Sequence, residues 1–132
     1  MSPPVIIGII DDDDIYRFMT VKTIQSLKIQ TENISFSDGE EALEFIVDNI
    51  DDIKKLPDVI LLDVNMPVLD GFGFMKEFVK LKPLIDKKIN IFMISSSANP
   101  IDRERAKSIP DITDYFVKPI EPGKLMRMLS GG

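Results

Sequence analysis

The stretch that most constrains this chain is Asp58-Val59-Ile60-Leu61-Leu62-Asp63-Val64-Asn65-Met66-Pro67-Val68-Leu69-Asp70-Gly71. Val59 to Leu62 has the length and branching of a strand buried on both faces, and it delivers a carboxylate, Asp63, where the apolar run stops. Pro67 and then Asp70-Gly71 read as a turn that hands the chain into a helix. Open α/β sheets place their chemistry at such a carboxyl strand end.

The same alternation recurs along the chain. Val5 to Ile10 (VIIGII) is a second β-branched run, and it ends at four consecutive aspartates, Asp11 to Asp14. From Ile15 to about Lys28 the apolar residues Ile15, Phe18, Met19, Ile24 and Leu27 recur at helical spacing, with Asp13 or Asp14 placed to cap the first turn. Asn33 to Ser37 is a weak strand. Asp38-Gly39-Glu40-Glu41 resembles a capping box that opens a helix whose inner face is Leu43, Ile46, Ile50 and Ile53, and Pro57 closes that unit. After Gly71, Phe74, Met75, Phe78 and Leu81 form the stripe of a third helix ending before Pro83. Ile89 to Ile94 is a fourth strand that stops at Ser95-Ser96-Ser97. Asn99-Pro100 starts a short helix, poor in apolar residues and loosely held, with Pro110 beyond its far end. Tyr115 to Val117 is a brief fifth strand leading to Lys118-Pro119. Pro122 to about Leu129 makes the last helix, and Ser130-Gly131-Gly132 is expected to be a frayed end. Five strands alternating with five helices predict a parallel sheet covered on both faces.

Composition narrows the function. The 132 residues suit one domain, 1–132, with one core, and no apolar run approaches the ~20 residues of a membrane span. No secretory leader is visible, so a cytoplasmic protein is expected. With neither cysteine nor histidine, disulfides, thiolate nucleophiles, Cys-ligated zinc and His-based acid–base pairs are excluded. A net charge of −6 argues against direct nucleic-acid binding through a broad basic surface.

An isolated aspartate run is most simply a solvated turn and a helix cap. Strands one and three are normally neighbours in this architecture, however, so Asp11 and Asp12 are expected beside Asp63. Two unit charges ~4 Å apart repel by ~1 kcal/mol in water and ~4 kcal/mol at an effective dielectric near 20, so three carboxylates there call for a cation. Ligands that are all hard oxygens point to Mg²⁺. Lys118 after strand five and Ser95 after strand four reach the same edge; each alone reads more simply as a surface lysine or a capping serine. Together with the aspartates they describe a phosphoryl site: a carboxylate nucleophile, cations to neutralise charge and a hydroxyl donor.

The motifs IIDDDD, LLDVNMPVLDG, MISS and YFVKP, in that order and spacing from about Val5 to Leu129, resemble the receiver domain of two-component response regulators. The resemblance implies a flavodoxin-like fold with strand order 2-1-3-4-5. It implies Asp63 as phosphoacceptor, Asp12 as a direct Mg²⁺ ligand, Asp11 as a ligand largely through water, and Asn65 as a ligand through its backbone carbonyl. Lys118 would pair with the phosphoryl group, Ser95 is similar to the family's switch hydroxyl, and Tyr115 to its switch aromatic, whose ring moves inward. Tyr115 on its own also reads as a half-buried edge aromatic. Met66-Pro67 and Asp70-Gly71 look structural, with Asp70 capping helix three, and the Phe72, Phe74, Met75 and Phe78 cluster reads as core.

The resemblance further implies a signalling domain, not an enzyme beyond its own phosphoryl transfer and dephosphorylation. Its phosphodonor would be a sensor histidine kinase or histidine phosphotransfer protein, since the chain has no histidine. Fourteen residues follow Lys118, too few for an output domain. Output is therefore expected through an unidentified protein partner at the surface of helix four, strand five and helix five, including Arg103, Arg105, Lys107 and Lys124, with no membrane involved. The main rival is a receiver-like interaction module that does not use phosphate. A flavin carrier would want a phosphate-cradling loop where this chain has four acids, and a phosphatase would need a substrate pocket.

Overall fold

The computed structural model describes residues 3–130. The elements are β1 (Val5–Ile10), α1 (Asp14–Ser26), β2 (Thr31–Phe36), α2 (Gly39–Asp48), β3 (Val59–Asp63), α3 (Gly71–Leu81), β4 (Asn90–Ser95), α4 (Pro100–Lys107), β5 (Asp114–Val117) and α5 (Pro122–Leu129). A 3₁₀ turn at Lys82–Leu84 follows α3. The strands form one parallel sheet in the order β2-β1-β3-β4-β5. This is the two-sided parallel sheet that the alternation predicts, in the doubly wound, flavodoxin-like order that the resemblance implies. Gly131 and Gly132 of the expected frayed end lie outside the described residues, and Ser130 caps α5.

Strand alternation divides the core in two. Ile7, Ile9, Val59, Leu61, Phe92 and Ile94 face α1 and α5, against Ile24, Leu125, Met128 and Leu129. Ile10, Ile60, Leu62, Ile91 and Met93 face the other way, against Ala42 and Ile46 of α2, Phe74, Met75 and Phe78 of α3, and Ala106 of α4. Central strands that bury both faces have no polar phase, which is why Val59 to Leu62 reads as an unbroken apolar run.

Three expectations need correction. Periodicity puts Ile15, Phe18 and Met19 on the inner side of α1, but they are 72%, 63% and 59% exposed. Of the expected positions Ile24 and Leu27 do pack inward, joined by Thr20 and Val21, and the Thr20 hydroxyl is satisfied by donating to the Tyr16 carbonyl at 2.8 Å. Next, α2 stops at Asp48, because Asn49 leaves helical geometry and its side chain donates back to the Phe45 carbonyl at 2.8 Å. Ile50 and Ile53 therefore lie beyond the helix, and Ile53 is exposed. Finally, the capping box at Asp38 is only half formed. Asp38 accepts from the Glu41 amide at 2.8 Å, but the Glu41 carboxylate takes the Ser37 hydroxyl instead of reaching back.

The β3–α3 connection carries one strained residue. Val68 has φ of +68° and is 85% exposed, so a β-branched side chain sits in the left-handed region without burial to offset the cost. Val68→Gly is expected to raise stability by ~1 kcal/mol in urea unfolding. A loss of stability would show that the valine side chain makes a contact worth more than the strain.

Candidate acidic phosphoryl site

Parity builds this site. Asp11 continues the Ile7, Ile9 phase of β1 and Asp63 the Val59, Leu61 phase of β3, and Ile9 is registered with Leu61. The two carboxylates therefore emerge side by side on the α1/α5 face. Lys118 follows Phe116, which faces the same layer, and its Nζ lies 2.7 Å from Asp11 Oδ2 and 3.5 Å from Asp63 Oδ1. One carboxylate oxygen each from Asp11, Asp12 and Asp63 lies within 4.8 Å of the others. Asp11 and Asp63 are buried and Asp12 is exposed, which leaves the cluster open to solvent on one side.

Local hydrogen bonds hold the carboxylates. Asp11 Oδ1 accepts from the Asp13 amide at 2.9 Å, and the Arg17 guanidinium donates to the Asp11 carbonyl and pairs with Asp14. Asp13, not Asp14, is the α1 cap, accepting from the amides of Ile15 and Tyr16 at 3.0 and 3.1 Å. Asp70 caps α3 through the Gly73 amide at 2.7 Å, as expected. Gly71 is required by close approach: a Cβ there would meet the Asp63 carbonyl oxygen at 2.6 Å and Val64 Cα at 3.0 Å.

The electrostatics match a pocket that wants positive charge. Burial first, and then the Asp11 carboxylate, push Asp63 up to about 7, against the pull of Lys118. Burial works to lower Lys118, but the hydrogen bond it donates to Asp11 and the charges of Asp63 and Asp11 raise it above the ordinary lysine value. The donor set is hard oxygen only, and a hard divalent cation such as Mg²⁺ fits three converging carboxylates whose mutual repulsion is otherwise only partly offset.

Ser95 and Tyr115 share the other parity. Ser95 follows Ile91 and Met93, Tyr115 is registered with Met93, and both face the α2/α3/α4 layer. Ser95 is fully buried and its Oγ accepts from the Ser97 amide at 3.1 Å. Tyr115 is 5% exposed, so it is not a half-buried edge residue; its hydroxyl donates to the Ser97 carbonyl at 3.5 Å, and Arg103 lies 5.2 Å from its ring centroid. Asn65 is exposed just past Asp63, in the connection that Gly71 closes through its bond to the Val64 carbonyl.

Two residues that the sequence reading passed over belong here. Arg17 buttresses the Asp11 backbone, and the Tyr16 ring centroid lies 4.2 Å from Lys118 Nζ. Their position three and four residues after Asp13, on the first turn of a helix starting at the acidic edge, was the available signal.

A doubly wound parallel sheet with an acid-lined, lysine-bridged pocket at its carboxyl edge defines a class of small α/β domain with a charged edge site. Residues 7–130 match the response regulator receiver domain, and the chain belongs to that family, the receivers of two-component signalling. It is 35% identical over 92 residues to a "Probable transcriptional regulator ycf27" of Guillardia theta, covering 70% of this chain and 32% of that protein. It is 30% identical over 110 residues to the "Sensor histidine kinase CheAY" of Helicobacter pylori, covering 83% of this chain and 13% of that one. The chain thus spans about a third or less of these two relatives. Among solved structures, a two-component response regulator from Cytophaga hutchinsonii superposes with a TM-score of 0.88 at 24% identity, over 98% of this chain and 97% of that one. The Vibrio cholerae chemotaxis protein CheY4 does so with 0.76 at 29% identity, over 98% of each chain. Receiver domains interact with histidine kinases and output proteins, and they generally bind Mg²⁺ at an acidic pocket. Among the described residues, no helix is long and apolar enough to cross a membrane.

Proposed function

We propose that residues 1–132 act as one receiver domain that is phosphorylated on Asp63 and signals through a phosphorylation-dependent protein-binding surface. The observation that carries this reading is the placement of Lys118 Nζ between Asp11 and Asp63, beside three converging carboxylates. Asp63 Oδ attacks the phosphorus of a donor phosphohistidine. The P–N bond breaks, its electron pair returns to the imidazole, which takes up a proton, and an acyl phosphate forms. Hydrolysis of that acyl phosphate by water resets the domain.

Asp12 and Asp63 would hold Mg²⁺ directly, Asp11 largely through water and Asn65 through its backbone carbonyl. When bound, the ion supplies positive charge that offsets the carboxylates and the phosphoryl oxygens. Lys118 pairs with a phosphoryl oxygen, and Ser95 donates its hydroxyl to another. Drawing Ser95 away from the Ser97 amide loosens the segment that also holds the Tyr115 hydroxyl, so phosphorylation biases the α4, β5 and α5 surface with its exposed Arg103, Arg105, Lys107 and Lys124.

The donor is a sensor histidine kinase or histidine phosphotransfer protein, because the chain has no histidine. The exposed Ile15, Phe18 and Met19 beside the acidic edge support a protein donor. The output partner is a protein, and a cytoplasmic setting goes with these partners.

Incubation with acetyl phosphate and Mg²⁺ should add one phosphoryl group by intact mass, and no added mass would refute the reading. Within the acidic run, Asp12→Ala should weaken Mg²⁺ binding and phosphorylation sharply. Asp13→Ala should leave Mg²⁺ affinity near the parent's and cost ~1 kcal/mol of stability through its cap. Equal loss of Mg²⁺ affinity in both variants would overturn the ligand assignment.

A further inference from the structure

We infer that Tyr16 is a positioning residue for Lys118, its ring face holding the ammonium over Asp63 without taking the place of an oxygen acceptor that a phosphoryl group would fill. The inference rests on the phosphoryl-transfer reading of the site. A lysine side chain has four rotatable bonds and loses substantial rotamer entropy when fixed. Here Nζ is fixed from three sides: Asp11 Oδ2 at 2.7 Å, Asp63 Oδ1 at 3.5 Å and the Tyr16 ring centroid at 4.2 Å. Nζ donates to Asp11 and is paired with Asp63 by charge. An aromatic face attracts the cation through its quadrupole and occupies no lone-pair acceptor, so it restrains Lys118 without competing as an oxygen acceptor would.

Tyr16 is itself held. Its amide donates to the Asp13 cap at 3.1 Å, and its carbonyl accepts the hydroxyl of buried Thr20 at 2.8 Å. Its side chain lines the cleft between α1 and the segment after β5, with Pro119, Ile120 and Leu125. The ring is therefore a wedge between the helix capped by Asp13 and the segment that begins at Lys118, and it couples the two from beside the carboxylates.

The test compares Tyr16→Phe with Tyr16→Leu in the full chain. The first readout is the chemical shift of the Lys118 Hε protons without Mg²⁺: the ring-current displacement should persist in Tyr16→Phe and vanish in Tyr16→Leu. The second is phosphorylation by acetyl phosphate with Mg²⁺, resolved into a saturating rate and a half-saturating donor concentration. Tyr16→Leu should lower the saturating rate about fivefold and leave half-saturation unchanged, with Tyr16→Phe within about twofold of the parent. Tyr16→Met replaces Tyr16→Leu if the latter lacks the parent's amide dispersion. Unchanged Lys118 shifts or an unchanged saturating rate in the apolar variant would overturn the inference. So would an equal loss in Tyr16→Phe, which would assign the effect to the hydroxyl. The parent is labelled first, so its failure to take up phosphate refutes the phosphoryl-transfer reading and is distinct from failure of the Tyr16 contact.

Discussion

Asp63→Asn should abolish phosphorylation by acetyl phosphate and, in the presence of a chelator, make the protein more stable. The amide is nearly isosteric with the carboxylate but carries no anionic nucleophile, so intact mass should stay at the unphosphorylated value over times that label the parent fully. Full labelling of the variant at another aspartate would sink the assignment. The stability gain depends on pH in a definite direction. Asp63 is held at about 7 in the folded chain, chiefly by burial and then by Asp11, against ~3.9 when unfolded. Below pH ~4 the group is protonated in both states, and its contribution is fully present. Between pH ~4 and 7 the unfolded chain releases the proton while the folded chain keeps it, so the parent loses stability as pH rises. The asparagine variant does not titrate here. Its advantage over the parent should be near zero at pH 4 and reach ~2–4 kcal/mol at pH 8, read from paired denaturant curves. An advantage that is largest at acid pH would mean that the site favours the ionised carboxylate.

Gly71→Ala should be strongly destabilising and should also slow phosphorylation. Its methyl group would enter the space of the Asp63 carbonyl oxygen at 2.6 Å and of Val64 Cα at 3.0 Å, all backbone that cannot rotate away. Relief requires α3 to withdraw or the end of β3 to shift, and we expect a cost of ~2–3 kcal/mol. Because the atom displaced belongs to Asp63, the saturating phosphorylation rate should fall even in protein that remains folded. Gly123→Ala provides the contrast. Nothing lies within 4 Å of a methyl group there, and the residue is exposed in α5, so that change should stabilise by ~0.5 kcal/mol. If the two substitutions cost the same, close packing at Gly71 is not the reason for its glycine.

The fold was open to a sequence reading because the strands of a two-sided parallel sheet are apolar on both phases and stop abruptly at polar residues. Val5 to Ile10 and Val59 to Leu62 each carry this pattern, and the residue after each is an aspartate. The pairing of Asp11 with Asp63 was equally accessible, since both sit on the same phase as the residues two before them. What the sequence did not disclose was the inner side of α1. Ile24 and Leu27 pack as their spacing predicts, but Ile15, Phe18 and Met19 compete with Thr20 for the rest of that side, and hydropathy favours them, yet it is Thr20 that packs. A threonine hydroxyl that bonds its own helix can be buried at little cost, which hydropathy does not register. Tyr16 and Arg17 were hidden for a related reason. The role of Tyr16 depends on how α1 leans on the segment after β5, and that of Arg17 on a turn back to the Asp11 carbonyl, neither of which hydrophobic periodicity encodes.

The hydrogen bond from Lys118 to Asp11 joins residues 107 positions apart, and the one from Ile6 to Asp58 joins residues 52 apart. Contacts this distant form only after much of the chain's loop-closure entropy has been lost, so they belong to the slow end of folding. β1 is paired by β2 on one side and β3 on the other, and the cation over the acidic edge follows β5, an edge strand held in the sheet by β4 alone. A chain in which β5 is not docked on β4 would have its aspartates but not its lysine in place. The capacity proposed for the site, taking up a phosphoryl group, should therefore depend on β5 being docked, which would tie the signalling-competent population to the fully folded one.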